Sequence, residues 1–166
     1  MTVDDEPFLR RALALAQQAR LQGADPFGAG PVCHGAILHE AMDASVAHSD
    51  PTWHAELSVI STYCRTHRRF ALAGATLYSS TEPCAICAGA IYWARISRVV
   101  FSVSQAMLQR LSGGYPKLTC AAILNGGRQR VEIVGPLLPT EGLRVFDGYA
   151  FVPKVERHRH QHDTPS

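Results

Sequence analysis

Two short motifs constrain this chain more than any other feature, because they must meet in space to make chemical sense. The first is His54-Ala55-Glu56 and the second is Pro83-Cys84-Ala85-Ile86-Cys87, with 26 residues between them. Asp50-Pro51 stands before the first motif as a predicted helix start. The second motif opens a predicted helix rich in small residues. The fold must therefore bring two helix starts together.

The residue types in the two motifs suit a zinc ion. Cys84 and Cys87 are three residues apart at a helix start, so both sulfurs can reach one point, and a helix N-terminus favours thiolates. His54 can add a neutral imidazole nitrogen. Three protein ligands leave a fourth position for water, which is the arrangement of a catalytic zinc site. Glu56 is not needed as a ligand and can carry a proton from that water to a substrate. The sequence therefore predicts one Zn²⁺ per chain, with Glu56 as the catalytic residue.

Two considerations leave alternatives to this interpretation. Residues two apart on a regular helix point about 200° apart, so His54 and Glu56 can converge only near a helix end. A structural zinc site, in a binding module without catalysis, would need a fourth ligand, for which Cys33, Cys64 and Cys120 are candidates. The presence of both motifs together favours catalysis, and these three cysteines are then predicted to be small buried residues.

Composition and charge argue against several other classes of protein. A chain of 166 residues with 46% hydrophobic and 18% charged residues suits a single globular domain. No apolar run approaches the ~18 residues of a membrane helix, and no secretory signal is visible, so we expect a cytoplasmic protein without a membrane partner. Five cysteines without framework spacing argue against a disulfide scaffold. A net charge of +2 is too small to indicate a nucleic-acid partner.

The order of predicted elements is typical of an α/β protein. A first helix is predicted from about residue 3 to 22, and a β-hairpin turns at His34-Gly35. A helix from Pro51 and alternating strands and helices follow, so we expect one mixed sheet covered by helices on both faces. This single domain is predicted to span residues 1–155. Residues 156–166 are polar and are predicted to form a disordered tail.

The combination of H-x-E with P-C-x-x-C is the signature of zinc-dependent base deaminases. From about residue 25 to 103 the chain resembles the cytidine deaminase superfamily, and within it the branch of guanine deaminases and tRNA adenosine deaminases. The segments that carry the resemblance are DPFGAG, SDPTWHAE and ATLYSSTEPCAICAGAIYWARISRVVF. It implies a three-layer α-β-α sandwich with a central mixed five-stranded sheet, a hydrolytic zinc site, and usually a homodimer whose interface borders the pocket.

Two aromatic residues make the chain more similar to guanine deaminases than to the tRNA enzymes. Phe27 and Trp93 resemble residues that close a pocket on a free base, where stacking contributes about 1–3 kcal/mol per base; alternatively, both fill the core. Ala55, beside the zinc ligand, is a further substrate-binding residue that the resemblance implies. We therefore expect hydrolysis of a free nucleobase, with guanine giving xanthine and ammonia. A guanosine-like nucleoside, an amino-triazine or pyrimidine ring, and tRNA adenosine are the alternatives.

Several positions depart from the family, and substrate identity depends on them. Asp43 stands where the family commonly has an asparagine that contacts the base, and a carboxylate only accepts hydrogen bonds whereas an amide also donates. One hypothesis is that Asp43 faces a substrate N–H; the alternative is an exposed aspartate in a turn. Trp53 replaces a common alanine, and the loop 104–128 lacks the acidic residues that guanine deaminases use to bind the base.

Overall fold

A computed structural model describes residues 4–114 and 118–162, and the side chains up to residue 159. Seven helices and six strands lie in this part of the chain. In chain order they are α1 (Glu6–Leu21), β1 (Gly28–Cys33), β2 (Ala36–Ile37), β3 (Ala41–Met42), α2 (Ala55–Thr66), β4 (Thr76–Thr81), α3 (Ala85–Trp93), β5 (Arg98–Val103), α4 (Gln105–Ser112), α5 (Cys120–Leu124), β6 (Glu132–Val134), α6 (Pro139–Arg144) and α7 (Lys154–His162).

The strands form one mixed sheet in the order β2-β1-β4-β5-β6, with β3 also paired to β1. β1 runs antiparallel to β2, β3 and β4, whereas β4, β5 and β6 are parallel. β2 and β3 pair with opposite ends of β1, at Val32 with Ile37 and at Gly28 with Met42. Together they fill one edge position, so the six strands occupy the five positions that the family resemblance implied.

The predicted hairpin turn is confirmed. β1 and β2 pair up to Cys33 and Ala36, which leaves His34 and Gly35 as a two-residue turn. Both residues have positive φ, 50° and 76°, as a hairpin turn that follows the twist of its strands requires. Gly35 adopts this conformation without a Cβ penalty.

Helices cover both faces of the sheet, as the three-layer prediction requires. On one face, Leu9 and Ala12 of α1 pack against Tyr78 and Val100. On the other face, residues of α2, α3 and α5 pack around Leu77 and Val99. α1 lies close to β1, because a Cβ added at Gly28 would be 2.5 Å from the Cβ of Leu15. Among the described residues, no helix combines the length and the apolar character needed to span a lipid bilayer.

The start of α2 differs from the prediction. The helix begins at Ala55 rather than at Pro51, and Asp50 instead closes a turn with its Oδ1 accepting from the backbone N–H and hydroxyl of Thr52 at 2.8 and 2.7 Å. Local side-chain hydrogen bonding of this kind competes with helix formation. His54 therefore lies before the helix, in an extended conformation with φ −78° and ψ 152°.

The C-terminal segment also differs from the prediction of a disordered tail from residue 156. The residues up to 162 lie in α7, and residues 163–166 lie outside the described part of the chain. Lys154 and Arg157 of this helix form ion pairs with Asp25 and Asp43. The polarity of the segment suggested disorder because these partners are more than a hundred residues away in sequence.

Candidate active site

The site forms where α2 and α3 begin. β4 leads through Glu82 and Pro83 to Cys84, the residue before α3, and Cys87 lies in the first turn of that helix. His54 takes the corresponding place before α2, and Glu56 lies in the first turn. Because His54 is extended and outside the helix, the 200° separation of a regular helix does not apply to His54 and Glu56. Both side chains reach the same point.

The three predicted ligand atoms form a compact group. The Nδ1 of His54 is 3.4 Å from the Sγ of Cys84 and 3.7 Å from the Sγ of Cys87, and the two sulfurs are 3.7 Å apart. Ligand atoms at ordinary Zn–N and Zn–S distances around a tetrahedral zinc are separated by about 3.5–3.8 Å. The group therefore fits one zinc ion. Within the described residues, Cys33, Cys64 and Cys120 do not join this group, so it lacks the fourth protein ligand of a structural site.

Hydrogen bonding distributes charge unevenly over the two cysteines. The sulfurs of Cys84 and Cys87 share a hydrogen bond, and this bond, together with the bond from His54, lowers the pKa of Cys84 to about 3. The same bond and burial raise the pKa of Cys87. The bond to Cys84 also raises the pKa of His54. A thiolate beside a histidine is therefore ready for a divalent cation.

Glu56 lies directly beside this group. Its side chain is buried, with the residue 5% exposed. Oε1 accepts a hydrogen bond from the Ser79 hydroxyl at 2.9 Å, and Oε2 accepts from the Cys87 thiol at 3.4 Å. Burial raises the pKa of Glu56. A carboxyl group in this setting can take up and release a proton next to a bound ion.

A cavity of about 140 Å³ opens in front of the group. Drug-sized ligands commonly occupy cavities of about 300–1,000 Å³, so this one suits a single small heterocycle. Its wall combines metal-binding, charged, polar and apolar side chains. They are Phe27, His54, Glu56, Thr81, Glu82, Cys84, Gln105, Leu108 and Lys154.

The structure brings some of the predicted substrate residues to this cavity and not others. Phe27 lines it and also contacts Phe146, with ring centroids 6.1 Å apart. Ala55 is fully buried at the start of α2. Trp93 ends α3 and is 75% exposed, so the alternative that it fills the core is wrong. It lies nine positions after Cys84, a helical rise of roughly 13 Å, and it does not line the cavity of its own chain.

Asp43 does not line this cavity but borders a second one, of about 320 Å³, together with Trp53. It is 3% exposed, so the alternative of an exposed aspartate in a turn is wrong. Its Oδ2 accepts from Lys154 at 2.7 Å, and its Oδ1 accepts from the backbone N–H and hydroxyl of Ser45. Trp53 lines that second cavity and contacts His48, with ring centroids 4.3 Å apart.

Sequence reasoning missed Lys154, Gln105 and Leu108, which also line the cavity. One signal was present for Lys154, because the chain has only two lysines beside fourteen arginines. The surrounding sequence, PKVERHRHQH, is polar and therefore predicts a solvated tail rather than part of a site. Glu82 positions the wall, since its carboxylate accepts from the backbone N–H of Gln105 at 2.9 Å and of Cys120 at 2.8 Å.

Comparison with known proteins agrees with this geometry. Residues 2–103 match the sequence profile of the cytidine and deoxycytidylate deaminase zinc-binding region. A probable cytosine deaminase of Schizosaccharomyces pombe is 36% identical over 150 residues, which cover 87% of this chain and 91% of that protein. The guanine deaminase of Bacillus subtilis is 41% identical over 101 residues, 60% of this chain and 65% of that one.

A solved structure from a study of A-to-I editing by tRNA:A34 deaminases has the same fold. It superimposes with a TM-score of 0.72 at 26% identity, covering 84% of this chain and 99% of that chain. The profile match spans more than half of the sequence and includes all three ligands that fit a zinc ion. The chain therefore belongs to the cytidine and deoxycytidylate deaminase family, whose members bind zinc.

Proposed function

We propose that this protein is a zinc-dependent aminohydrolase that acts on a free nucleobase, with guanine, converted to xanthine and ammonia, as the first candidate. The observation that carries the proposal is the position of Glu56, a buried carboxyl group beside three ligands that fit zinc, at a cavity of about 140 Å³. The solved structure of guanine deaminase from Bacillus subtilis is similar to this fold, with a TM-score of 0.64 at 30% identity.

The chemistry follows from the residues around the ion. His54, Cys84 and Cys87 would hold zinc, which when bound would supply an activated water as the nucleophile. Glu56 would take a proton from the attacking water and transfer it to a ring nitrogen. It would then pass the proton of the added hydroxyl to the amine, which leaves as ammonia while the carbonyl of the product forms. Ser79 holds Glu56 in place through its hydroxyl. Phe27 supports the ring of the base by aromatic contact, and Ala55 leaves room beside the ligands.

Cytosine is a second candidate, because the Schizosaccharomyces pombe relative, described as a probable cytosine deaminase, aligns with 87% of the chain. A cavity of about 140 Å³ accommodates a pyrimidine as well as a purine. Ammonia release from a panel of free bases, nucleosides and tRNA separates these candidates. A zinc-loaded protein that releases no ammonia from any of them contradicts the proposal.

Glu56→Gln tests the catalytic assignment directly. We expect this variant to keep one zinc per chain and to lose turnover by roughly two to four orders of magnitude, since general acid–base catalysis contributes about 10²–10⁴-fold. Zinc content by elemental analysis and ammonia release by a coupled assay are the two measurements. Retention of near-normal turnover would remove Glu56 from the mechanism, whereas loss of zinc would make it a structural residue.

We also propose that two copies associate, which would give Trp93 a role in the site. Trp93 is 75% exposed and Ile86 is 44% exposed on α3, the helix that carries Cys87. Exposed aromatic and aliphatic side chains on one helix favour a protein interface. Association could bring Trp93 to the cavity of the second copy. A single monomeric species in sedimentation velocity would contradict this part of the proposal.

A further inference from the structure

Lys154 places a positive charge on the wall of the cavity. It begins α7 and lines the same cavity as His54, Glu56 and Cys84. Its side chain is 32% exposed, so the ammonium is neither sealed in the core nor free in solvent. Lys154 therefore borders the same space as the ligand group.

The ammonium is held in place by three oxygen atoms. It lies 2.7 Å from the Oδ2 of Asp43, 2.7 Å from the Oγ of Ser45, and 3.2 Å from the Oδ2 of Asp25. Asp25 is shared, since its Oδ1 accepts from Tyr149 and, at 2.5 Å, from Arg157. The negative charges of Asp25 and Asp43 thus balance the positive charges of the lysine and Arg157. This balance permits a charged lysine at a partly buried position.

The same contacts engage both oxygens of Asp43 within the protein, and Asp43 does not line the cavity. Both of its oxygens already accept hydrogen bonds, one from Lys154 and the other from Ser45, and the residue is buried. The hypothesis that Asp43 faces a substrate N–H is therefore corrected. Asp43 orients a donor instead, because an ammonium group only donates.

We propose that Lys154 is a specificity-determining residue that recognises a ring carbonyl oxygen of the bound base, and that Asp43, Asp25 and Ser45 orient it. This inference rests on the proposed function and narrows its substrate class. Of the three oxygen contacts of the ammonium, the one to Asp25 is the longest, at 3.2 Å. A carbonyl oxygen in the cavity can therefore replace Asp25 at the smallest loss of interaction energy. The substrate class is a base that carries both an amine and a ring carbonyl. Guanine and cytosine have both groups, whereas adenine lacks the carbonyl.

Pairs of substrates that differ in the ring carbonyl, and in the ring N–H that accompanies it, test this inference. Guanine is compared with 2-aminopurine, and cytosine with 4-aminopyrimidine, in the wild type and in Lys154→Met. We expect kcat/KM for the carbonyl base to fall roughly ten- to hundredfold, the usual range for one charged hydrogen bond. The base without the carbonyl should change by less than about threefold. Lys154→Arg should restore much of the preference, and Arg159→Met, an exposed cation on the same helix, should change neither base.

A folding defect must be separated from a recognition defect. Lys154→Met leaves the buried carboxylate of Asp43 without its cation, which is destabilising. The double variant Asp43→Asn/Lys154→Met removes both charges and should recover the melting temperature while still lacking the preference for the carbonyl base. Equal losses for both members of a pair, or recovery of the preference in the double variant, would overturn the inference.

Direct binding separates this inference from the proposed function. Calorimetric titration of guanine and cytosine into zinc-loaded wild type and Lys154→Met requires no turnover. Weaker binding of these bases by Lys154→Met supports the role of Lys154 even if the wild type releases no ammonia, a result that would contradict the proposed function alone. Equal affinity in both proteins, or no binding of either base to the wild type, contradicts the role of Lys154.

Discussion

His54 and Glu56 are only two residues apart and still act on one point, because the first precedes α2 and the second belongs to it. Because the backbone at His54 is extended, helical geometry does not fix the angle between the two side chains. Cys84 repeats the arrangement before α3. The metal-binding group is therefore made of two helix starts, where backbone N–H groups favour anionic sulfur and carboxylate.

Ser79→Ala tests how far Glu56 depends on its hydroxyl partner. The Ser79 hydroxyl donates to Oε1 of Glu56 at 2.9 Å inside the protein, and a hydrogen bond to a charged group contributes about 1.5–3 kcal/mol. We expect kcat to fall roughly tenfold while zinc content and KM change little. Ser102→Ala is the matched control, a buried serine that donates to the carbonyl of Leu138 instead. Equal kinetics in the two variants would contradict a positioning role for Ser79.

The residues that carry the chemistry could be predicted because their types and spacing follow from it. Two cysteines three apart and a histidine two before a glutamate are sufficient to indicate zinc and a proton carrier. Lys154 could not be predicted in this way, since a lysine has no characteristic spacing. Its place in the cavity depends on Asp25 and Asp43, which are more than a hundred residues earlier.

At the scale of elements, the site depends on how closely the sheet and its helices approach. α1 lies against β1 at Gly28, where a Cβ would be 2.5 Å from the Cβ of Leu15 and 2.6 Å from the carbonyl oxygen of Ala12. The backbone N–H of Gly28 also donates to Ser80 of β4. Phe27 immediately precedes this strand, so the packing of α1 on β1 determines where the aromatic wall of the cavity stands.

Gly28→Ala should therefore destabilise the protein. The added methyl group cannot be accommodated without moving α1, and overpacking of this kind costs about 1–3 kcal/mol. Gly89→Ala provides the control, because a Cβ there meets nothing within 4 Å and alanine is favoured over glycine in a helix. Urea denaturation of both variants measures the difference. If Gly28→Ala is as stable as Gly89→Ala, the close approach is not a constraint.

The order and type of most elements could be predicted from periodicity, and their ends could not. The hairpin turn at His34-Gly35 was predictable because a glycine follows a residue that tolerates positive φ. The start of α2 was not, because Asp50 closes a turn, and a cap and a turn use the same residue type. α7 was missed since its polar sequence has no apolar face, and ion pairs hold it to distant loops.

Across the whole molecule, one charged cluster ties the first helix to the middle of the sheet. Asp5, just before α1, accepts from Arg98 of β5 at 2.6 and 2.8 Å and from the hydroxyl of Tyr78 in β4 at 2.8 Å. The hydrogen bonds from Arg98 lower the pKa of Asp5, although burial opposes the shift. The interaction spans more than ninety residues of sequence and lies on the sheet face opposite the zinc ligands.

The stability that Asp5 contributes should depend on pH. Because the pKa of Asp5 is lower in the folded state than its ordinary value, its contribution is present above about pH 4 and is lost as pH falls through the folded value. We expect Asp5→Asn to be less stable than the wild type by about 1–3 kcal/mol at pH 7. The difference should shrink at pH 3. Urea denaturation of both proteins at both pH values measures it, and a difference that is independent of pH would contradict the ionic contribution.

The placement of Lys154 on α7 has a consequence for how such a protein can change. The zinc ligands and Glu56 all lie between residues 54 and 87, whereas the lysine of the cavity wall comes from a helix that begins at residue 154. Exchange of that helix for another leaves the hydrolytic apparatus intact. Substrate choice and chemistry can then diverge separately within one lineage, and the last helix is the segment where relatives with different preferences should differ first.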